Sequence, residues 1–194
     1  MTSFTVIGHT ACTDASFPLD DLPGKGGRMD LLCRAVASSL FLSHGIREDT
    51  ICDIMLLGQP HPGRIIRFDG SALRSLSPDE RNIASSIKRA LAIPAGKTFR
   101  KAGPGLLTRK GTLADQLSEK HYAVLDESGT DIRKVPTEEL PDAFLLSDNR
   151  NFSDDEIELT RDIPKYSLGP AIVHADHAIV LILNEIDRRR SGWI

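Results

Sequence analysis

Apolar segments with two different periodicities alternate along this chain, and this alternation constrains the fold more than any other feature of the sequence. Short apolar runs at Phe4–Ile7, Ile51–Leu57 and Ala143–Leu146 are typical of buried strands. Longer segments, Arg28–His44 and Asp176–Arg190, carry apolar residues three and four positions apart, which predicts helices. Because strands alternate with helices throughout, the sequence predicts an α/β fold with a mostly parallel sheet flanked by helices.

Capping residues and glycines predict the bounds of the remaining elements. Ser77 is a favourable N-cap, followed by Pro78 at the first helical position and Glu80 as a capping-box partner, so a helix should run from there to Leu91. The basic, glycine-containing stretch Lys97–Gly111 predicts a loop. Three shorter apolar runs predict two strands and a short helix, at Arg64–Phe68, Ala123–Leu125 and Leu113–Leu117 respectively.

Length, hydropathy and cysteine usage limit the class of protein. A chain of 194 residues suits a single domain over residues 1–194. No apolar run approaches the roughly 20 residues that cross a bilayer, and the first residues lack the pattern of a signal peptide, so we expect no membrane contact. Cys12, Cys33 and Cys52 lack the spacing of a zinc site or a disulfide framework. We therefore expect reduced thiols, no metal and a cytoplasmic protein.

Positive charge is concentrated in one segment of a chain whose net charge is -3. Between residues 64 and 110 there are 11 Lys and Arg residues against three acids, so this segment carries +8 and the remainder -11. Such a distribution predicts a phosphate-binding face, with Arg64, Arg74 and Arg81 as candidate RNA-binding residues. The alternative is a solvated surface whose charges are paired in the fold; Arg81, for example, could pair with Asp79 or Glu80.

Small or polar residues follow three predicted strands in the last 70 residues of the chain. These strand ends are Leu125-Asp126, Leu146-Ser147-Asp148 and Ser167–Pro170. Ligands of open α/β sheets bind beyond the carboxyl ends of the strands, so we expect a ligand site here, apart from the basic segment. The chain contains neither a GxGxxG after its first strand nor a P-loop, so a Rossmann dinucleotide site and a nucleotide-triphosphate site are unsupported.

Four stretches in consistent order resemble the archaeal tRNA pseudouridine N1-methyltransferases (the TrmY family) of the SPOUT class. They cover Asp21–Arg34, Leu40–Asp49, Ser77–Ala84 and Ser167–Arg189, and include the strings DLPGKGGRMDLLCR and SLGPAIVHADHAIVLILNEIDRR. The resemblance implies a SPOUT fold with a C-terminal trefoil knot, a homodimer, and methylation of N1 of pseudouridine 54 in the T-loop of tRNA with S-adenosyl-L-methionine (SAM) as donor. It also implies that residues 64–110 face the RNA and residues 121–194 form the knotted, cofactor-binding part.

The same resemblance assigns site residues. Arg28 and Asp30, after GKGG, match the motif that faces the target base; pseudouridine N1–H is a weak acid, so a positioned carboxylate and cation would suffice without a metal. The alternative is that Asp30 merely stabilises a helix N-terminus with Arg28 as its surface partner. The residues implied for the methyl donor are Leu125, Leu146, Ser147, Ser167, Leu168, Gly169, Pro170 and Ala178.

Three residues depart from the family pattern around the expected donor site. Ser147 stands where the family has Gly, Asn149 where it has His, and Ala178 where it has Cys. A left-handed backbone would disfavour Ser at this position, but we expect Ser147 to be an ordinary strand end, because Leu125 and the SLGP segment keep the family pattern and Asp148 still follows. Two other functions stay open at this point: an rRNA pseudouridine as the target of the same chemistry, and an RNA-binding homologue without catalysis. We also expect a homodimer because the last helix offers apolar surface of the kind found at homodimer interfaces, from Ile179, Leu181, Ile182, Leu183 and Ile186.

Overall fold

The computed structural model describes residues 1–193 and builds them around one large sheet. The strands are β1 (Thr2–Gly8), β2 (Phe41–Leu42), β3 (Gly45–Ile46), β4 (Thr50–Leu56), β5 (Arg64–Asp69), β6 (Arg100–Gly103), β7 (Leu106–Lys110), β8 (Tyr122–Asp131), β9 (Ala143–Ser147) and β10 (Lys165–Ser167). The helices are α1 (Met29–Leu40), α2 (Glu80–Leu91), α3 (Leu113–Leu117), α4 (Asp154–Leu159) and α5 (Ala175–Arg190), with short 3-10 turns at Ile132–Lys134 and Thr137–Glu139.

Eight strands form the sheet in the order β10-β8-β9-β1-β4-β5-β7-β6. The five strands from β10 to β4 are parallel to their neighbours, and β5, β7 and β6 continue the sheet in antiparallel pairs. The predicted α/β class with a mostly parallel sheet is therefore confirmed. Because β1 and β9 are adjacent and parallel, the residues after both strands meet at one edge of the sheet.

Alternating residues along the strands separate the core into two layers. On one face, Val6, Ile54 and Phe144 pack with apolar residues of α1, α2 and α5. On the other face, their neighbours Ile7 and Met55 pack in a smaller cluster that includes Leu113 of α3. The period of two in these strands thus buries both faces, which is why they read as continuous apolar runs rather than as alternating ones.

Four predictions of element bounds or type were wrong. The first helix ends at Leu40 instead of His44, because the following residues pair as the small β2–β3 hairpin. The N-cap of α2 is Asp79, whose side chain accepts the Asn82 amide at 2.9 Å, and Ser77 lies outside the helix. The predicted basic loop is mostly the β6–β7 hairpin, turned by Gly105 at φ 65°. The predicted strand after residue 122 also continues through DESG to Asp131.

Candidate active site

A cleft opens between residues 125–127 in the middle of β8, the carboxyl end of β10 and the segment that leads into α5. Five residues implied for the methyl donor line it: Leu125, Ser167, Leu168, Gly169 and Ala178. The remaining lining residues add two carboxylates and an apolar wall, and they include Asp126, Glu127, Tyr166, Ile172 and Val173.

The other three residues implied for the donor do not line this cleft. The side chain of Leu146 is buried in the core beneath α1 and α5, and Pro170 is exposed in the loop after β10. Ser147 ends β9 without a left-handed backbone, because the only non-glycine residues with positive φ in residues 1–193 are Arg28 and Ser75. Its hydroxyl donates to the Arg150 carbonyl oxygen. The exchange of Gly for Ser therefore introduces no left-handed strain at this strand end.

The glycine-rich loop before α1 places Arg28 in an unusual conformation. Gly27 has φ 66°, and a Cβ there would collide with the Thr10 carbonyl oxygen, so only glycine fits. Arg28 follows with φ 65° and ψ 30°, and α1 begins at the next residue. A left-handed arginine costs about 1–2 kcal/mol. A strained backbone of this kind persists only where the surrounding structure stabilises it, and it occurs most often at functional sites.

The carboxylate of Asp30 holds Arg28 in place. It accepts two hydrogen bonds from Arg28, from Nε and Nη2, at 3.1 Å each, and one from Arg34 Nη2 at 3.1 Å. Burial of Asp30 raises the pKa of its carboxyl, but the hydrogen bonds and charges of Arg28 and Arg34 outweigh it, so the pKa lies below the ordinary value. Asp30 is therefore ionised and a weak proton acceptor, which suits it to orient Arg28.

Arg34 connects this pair to two other helices. Its Nη1 donates to Glu80 at 3.1 Å, and its Nε lies 3.9 Å from a carboxylate oxygen of Asp176. Asp30, Glu80 and Asp176 lie in the first turns of α1, α2 and α5, where a negative charge is stabilised by the helix dipole. The three helix starts thus converge on one guanidinium.

His9, directly after β1, forms a second charged cluster at the same edge. Its backbone amide donates to Asp148 Oδ2 at 2.8 Å, its Nδ1 lies 2.9 Å from Asp148 Oδ1, and its Nε2 lies 3.0 Å from Glu156 Oε2. The hydrogen bond with Asp148 raises the pKa of His9, and the one with Glu156 adds to it, against burial, which lowers it. A protonated ring donates at both nitrogens, and the cation therefore links β1, the end of β9 and α4.

A small pocket lies between the His9 cluster and the start of α5. Asp148 and Asn149 line it together with His174, Ala175 and Asp176. Val173, directly before His174, and Ala178, two positions after Asp176, line the donor cleft. The segment 171–178 therefore separates two pockets, of which the smaller is lined by charged side chains joined to the Arg28–Asp30 network through Asp176.

The predicted RNA-binding arginines have different environments. Arg64 is buried, and its Nη2 donates to the Ala90 and Ile93 carbonyl oxygens at 3.0 and 3.1 Å, so the prediction that it faces RNA was wrong. Arg74 and Arg81 are exposed and form no ion pair within residues 1–193. Two further arginines of the basic segment are neutralised by acids of other segments; Arg67 pairs with Asp53 and Glu119, and Arg109 pairs with Glu119.

Neither a membrane-spanning helix nor a metal-binding group of side chains is found within residues 1–193. No helix in this range is long and apolar enough to cross a membrane. Within the same range, no three His, Cys, Asp or Glu side chains are grouped as a metal site requires.

Comparison with known proteins places this geometry in a family. A family model for SAM-dependent RNA methyltransferases matches residues 1–191. A protein of Methanospirillum hungatei is 97% identical over 194 residues, with 100% of both chains covered, and is named tRNA (pseudouridine(54)-N(1))-methyltransferase. A protein of Methanocorpusculum labreanum with the same name is 49% identical over 97% of this chain and 98% of its own length. The chain belongs to this methyltransferase family.

A solved structure supports the fold of the family member described here. Nep1 of Archaeoglobus fulgidus, bound to S-adenosylhomocysteine, superposes with a TM-score of 0.63 over 98% of this chain and 99% of that chain. The two sequences are 11% identical, so the similarity concerns the fold alone.

The His9 cluster is the part of this site that sequence reasoning missed. Asp148 and Glu156 lie 139 and 147 positions away from His9, and only the pairing of β1 with β9 brings them together. No local pattern marks such a histidine. In contrast, the GKGG string before Arg28 and the SLGP string after β10 could be found, because the family resemblance runs through them.

Replacing Asp30 with Asn tests whether Asp30 orients Arg28 or accepts a proton. We expect SAM affinity to stay within about twofold and methyl transfer to fall about 10²-fold, because a misplaced Arg28 loses its position on the target base. The pH–rate profile should keep its wild-type shape. Asp154→Asn, an exposed acid of α4, is the matched control. Loss of a limb from the pH profile would instead make Asp30 the base.

Replacing His9 with Gln tests whether the ion pairs of the His9 cluster stabilise the fold, through the pH dependence of the unfolding free energy. The raised pKa means that the imidazolium contributes stability fully below about pH 6.5, the unfolded value, and that this contribution is lost as pH rises through the folded pKa. The difference in unfolding free energy between the wild type and His9→Gln should therefore be larger near about pH 5.5 than near about pH 8.5.

Asp148 does not titrate between these two pH values, because the pKa of its carboxyl lies below the ordinary value. Burial raises this pKa, but the hydrogen bonds from His9 and Arg150 lower it by more. Exposed His44, which forms no ion pair in residues 1–193, is the control, and its exchange for Gln should cost about 0.5 kcal/mol or less. Urea unfolding at both pH values gives these differences. An equal loss of unfolding free energy in His9→Gln at both pH values would contradict a stabilising role for the protonated His9.

Proposed function

We propose that this chain transfers a methyl group from SAM to N1 of pseudouridine 54 in the T-loop of tRNA. The observation that carries the proposal is the pair of pockets on the two sides of segment 171–178. One contains residues of the family's donor motif, and the other is lined by Leu31 and by Asp176, which lies 3.9 Å from Arg34 of the Arg28–Asp30 network. The names of the relatives at 97% and 49% identity supply the nucleotide. Because tRNA is the substrate, we also place the protein in the cytoplasm.

The donor cleft fits SAM. Leu125, Ile172 and Ala178 form an apolar wall suited to an adenine ring, and Asp126 and Glu127 offer carboxylates to hydroxyl or ammonium groups. Leu125 keeps the pattern of the family, and Ala178 lines the same cleft although the family has Cys at that position. When bound, SAM supplies an electrophilic methyl group on a sulfonium, and this chemistry requires no metal.

Arg28 is the residue we assign to the acceptor base. Its side chain is 36% exposed, while its Asp30 partner is 6% exposed, so the guanidinium is accessible and the carboxylate that orients it is not. Pseudouridine N1 gains the methyl group and loses its proton to water, and negative charge develops on the ring carbonyls in between. A preorganised guanidinium beside a carbonyl oxygen stabilises that charge.

The connection from β9 to α5 supports a trefoil knot in the C-terminal part, residues 121–194. The chain leaves β9, passes beyond β8 to form β10 at the sheet edge, and returns as α5, which packs on α1 near the middle of the sheet. The chain between β9 and β10 therefore crosses β8, which precedes both strands in the sequence. We assign the same residues to cofactor binding and residues 64–110, without Arg64, to RNA binding.

We also propose a homodimer, on a surface that includes only Leu181 of the residues expected from the sequence. Of the apolar residues in α5, Ile179, Ile182, Leu183 and Ile186 are buried within the chain and cannot bind a partner. Ile172, Val173, Val180 and Leu181 remain exposed, at 77%, 38%, 49% and 42%. Together they form an apolar surface beside the donor cleft, and homodimer interfaces are enriched in such residues.

Light scattering tests this interface. We expect a dimer mass for the wild type at micromolar concentration and a monomer mass for Val180→Asp with Leu181→Asp, because charges at the centre of an apolar interface are costly to desolvate. Exposed Ile157 and Leu159 on α4, changed to Asp in the same way, are the control and should leave the dimer intact. A wild-type monomer rejects the homodimer.

A methyl-transfer assay tests the proposed function. Two synthetic T-arm RNAs differ only at position 54, with pseudouridine in one and uridine in the other. We expect labelled methyl from SAM on the pseudouridine RNA and background on the uridine RNA, since uridine has a carbon where pseudouridine has N1–H. Methylation of both RNAs would reject N1 as the acceptor. SAM binding without methylation of either RNA would favour an RNA-binding homologue without this catalysis.

A further inference from the structure

A second pocket, away from the active site, has the chemistry of a nucleotide-binding site. It has a volume of about 160 Å³ and lies between α2, the segment after β5, and the β6–β7 turn. Its floor is apolar, with Phe68, Leu73 and Leu106 buried in the core. Its walls carry two guanidinium groups, from Arg74 and Arg89, and the hydroxyls of neighbouring serines.

The two arginines of this pocket are free of acidic partners. Arg74 and Arg89 are exposed, no acid is among the residues that line the pocket, and neither arginine forms an ion pair within residues 1–193. Arg89 Nη2 donates to Ser86 Oγ at 3.1 Å, and Arg74 Nη1 donates to the Leu73 carbonyl oxygen at 2.6 Å. Each guanidinium has five N–H donors, so most of them stay available to a ligand.

The backbone around the pocket is held in an unfavourable conformation. Ser75, between Arg74 and the start of the α2 region, has φ 60°, and it shares a positive φ with only one other non-glycine residue in the described chain, Arg28. Gly105 at the β6–β7 turn has φ 65°, and a Cβ there would collide with the backbone of Leu73. The turn therefore closes directly on the floor of the pocket and fixes its shape.

We propose that this pocket binds one unstacked nucleotide of the RNA substrate, with its base on the apolar floor and its phosphate between Arg74 and Arg89. Single-stranded RNA is commonly bound with splayed bases against apolar or guanidinium surfaces. Arginine pairs with phosphate oxygens in a bidentate manner, which fixes the register of the strand as well as adding affinity. The inference rests on the proposed function, because it takes RNA as the ligand.

The nucleotide in this pocket is not the one that is methylated. The pocket lies over β5 and β7, and the active site lies beyond the ends of β9 and β1, three positions away in the sheet. At about 4.8 Å per strand, the lateral separation is about 14 Å. The pocket therefore contributes to RNA affinity and register, and its loss should act on KM rather than on kcat.

Arg89→Gln tests the pocket. We expect the Kd and KM for a pseudouridine-54 T-arm RNA to rise about tenfold, kcat and the SAM Kd to change less than about twofold, and the salt slope of binding to fall by about one. Arg161→Gln on α4, an exposed arginine paired with Glu158, removes the same charge elsewhere and should leave the RNA Kd within about twofold. Circular dichroism verifies that both variants are folded.

Photocrosslinking locates the contact independently of the variant. A T-arm RNA with 4-thiouridine at single positions should crosslink to peptides that contain residues 73–76, 86–89 or 104. Crosslinks exclusively to other peptides, or an Arg89→Gln Kd within twofold of the wild type, overturn the pocket. Wild-type methylation of pseudouridine RNA with an unchanged KM in Arg89→Gln removes the pocket and keeps the proposed function. Crosslinks at these residues without methylation of the RNA would keep the pocket as an RNA-binding site and reject the proposed function.

Discussion

The buried carboxylate of Asp30 fixes the starts of three helices and the conformation of Arg28. A buried charge is costly without partners, and this one accepts three hydrogen bonds from two guanidinium groups. Arg34 then extends the network to Glu80 and Asp176, and so α1, α2 and α5 are tied together at their N-terminal ends. The left-handed backbone of Arg28 is tolerated because two hydrogen bonds to Asp30 hold its guanidinium.

The parallel half of the sheet brings the chemistry together. His9 follows β1, Asp148 follows β9, and the donor cleft lies at the end of β10 beside residues 125–127 of β8. Arg28 lies in the loop between β1 and α1. The antiparallel half differs, because the segment after β5 and helix α2 carry Arg74, Arg81 and Arg89, which form no ion pair within residues 1–193. We propose that these arginines contact RNA away from the methyl-transfer chemistry.

Periodicity predicts most of the strands and helices here, but it cannot predict which charges are buried. Arg64 looks like a member of a basic face in sequence, yet the end of α2 lies over it and takes its hydrogen bonds. Ser77 and Asp79 are both good N-caps, and only the tertiary position of α2 selects Asp79. The two charged clusters have distant partners, so the family resemblance, and no property of the residues alone, predicts Arg28 and Asp30.

The central claim is that Arg28, held by Asp30, contacts the base that receives the methyl group. The most direct measurement is a crystal structure of the protein with S-adenosylhomocysteine and a pseudouridine-54 T-arm RNA. We expect the cofactor product in the cleft lined by Leu125 and Ala178, and an Arg28 nitrogen about 3 Å from a carbonyl oxygen of the target base. A target base seated elsewhere, with Arg28 still bound only to Asp30, would contradict it.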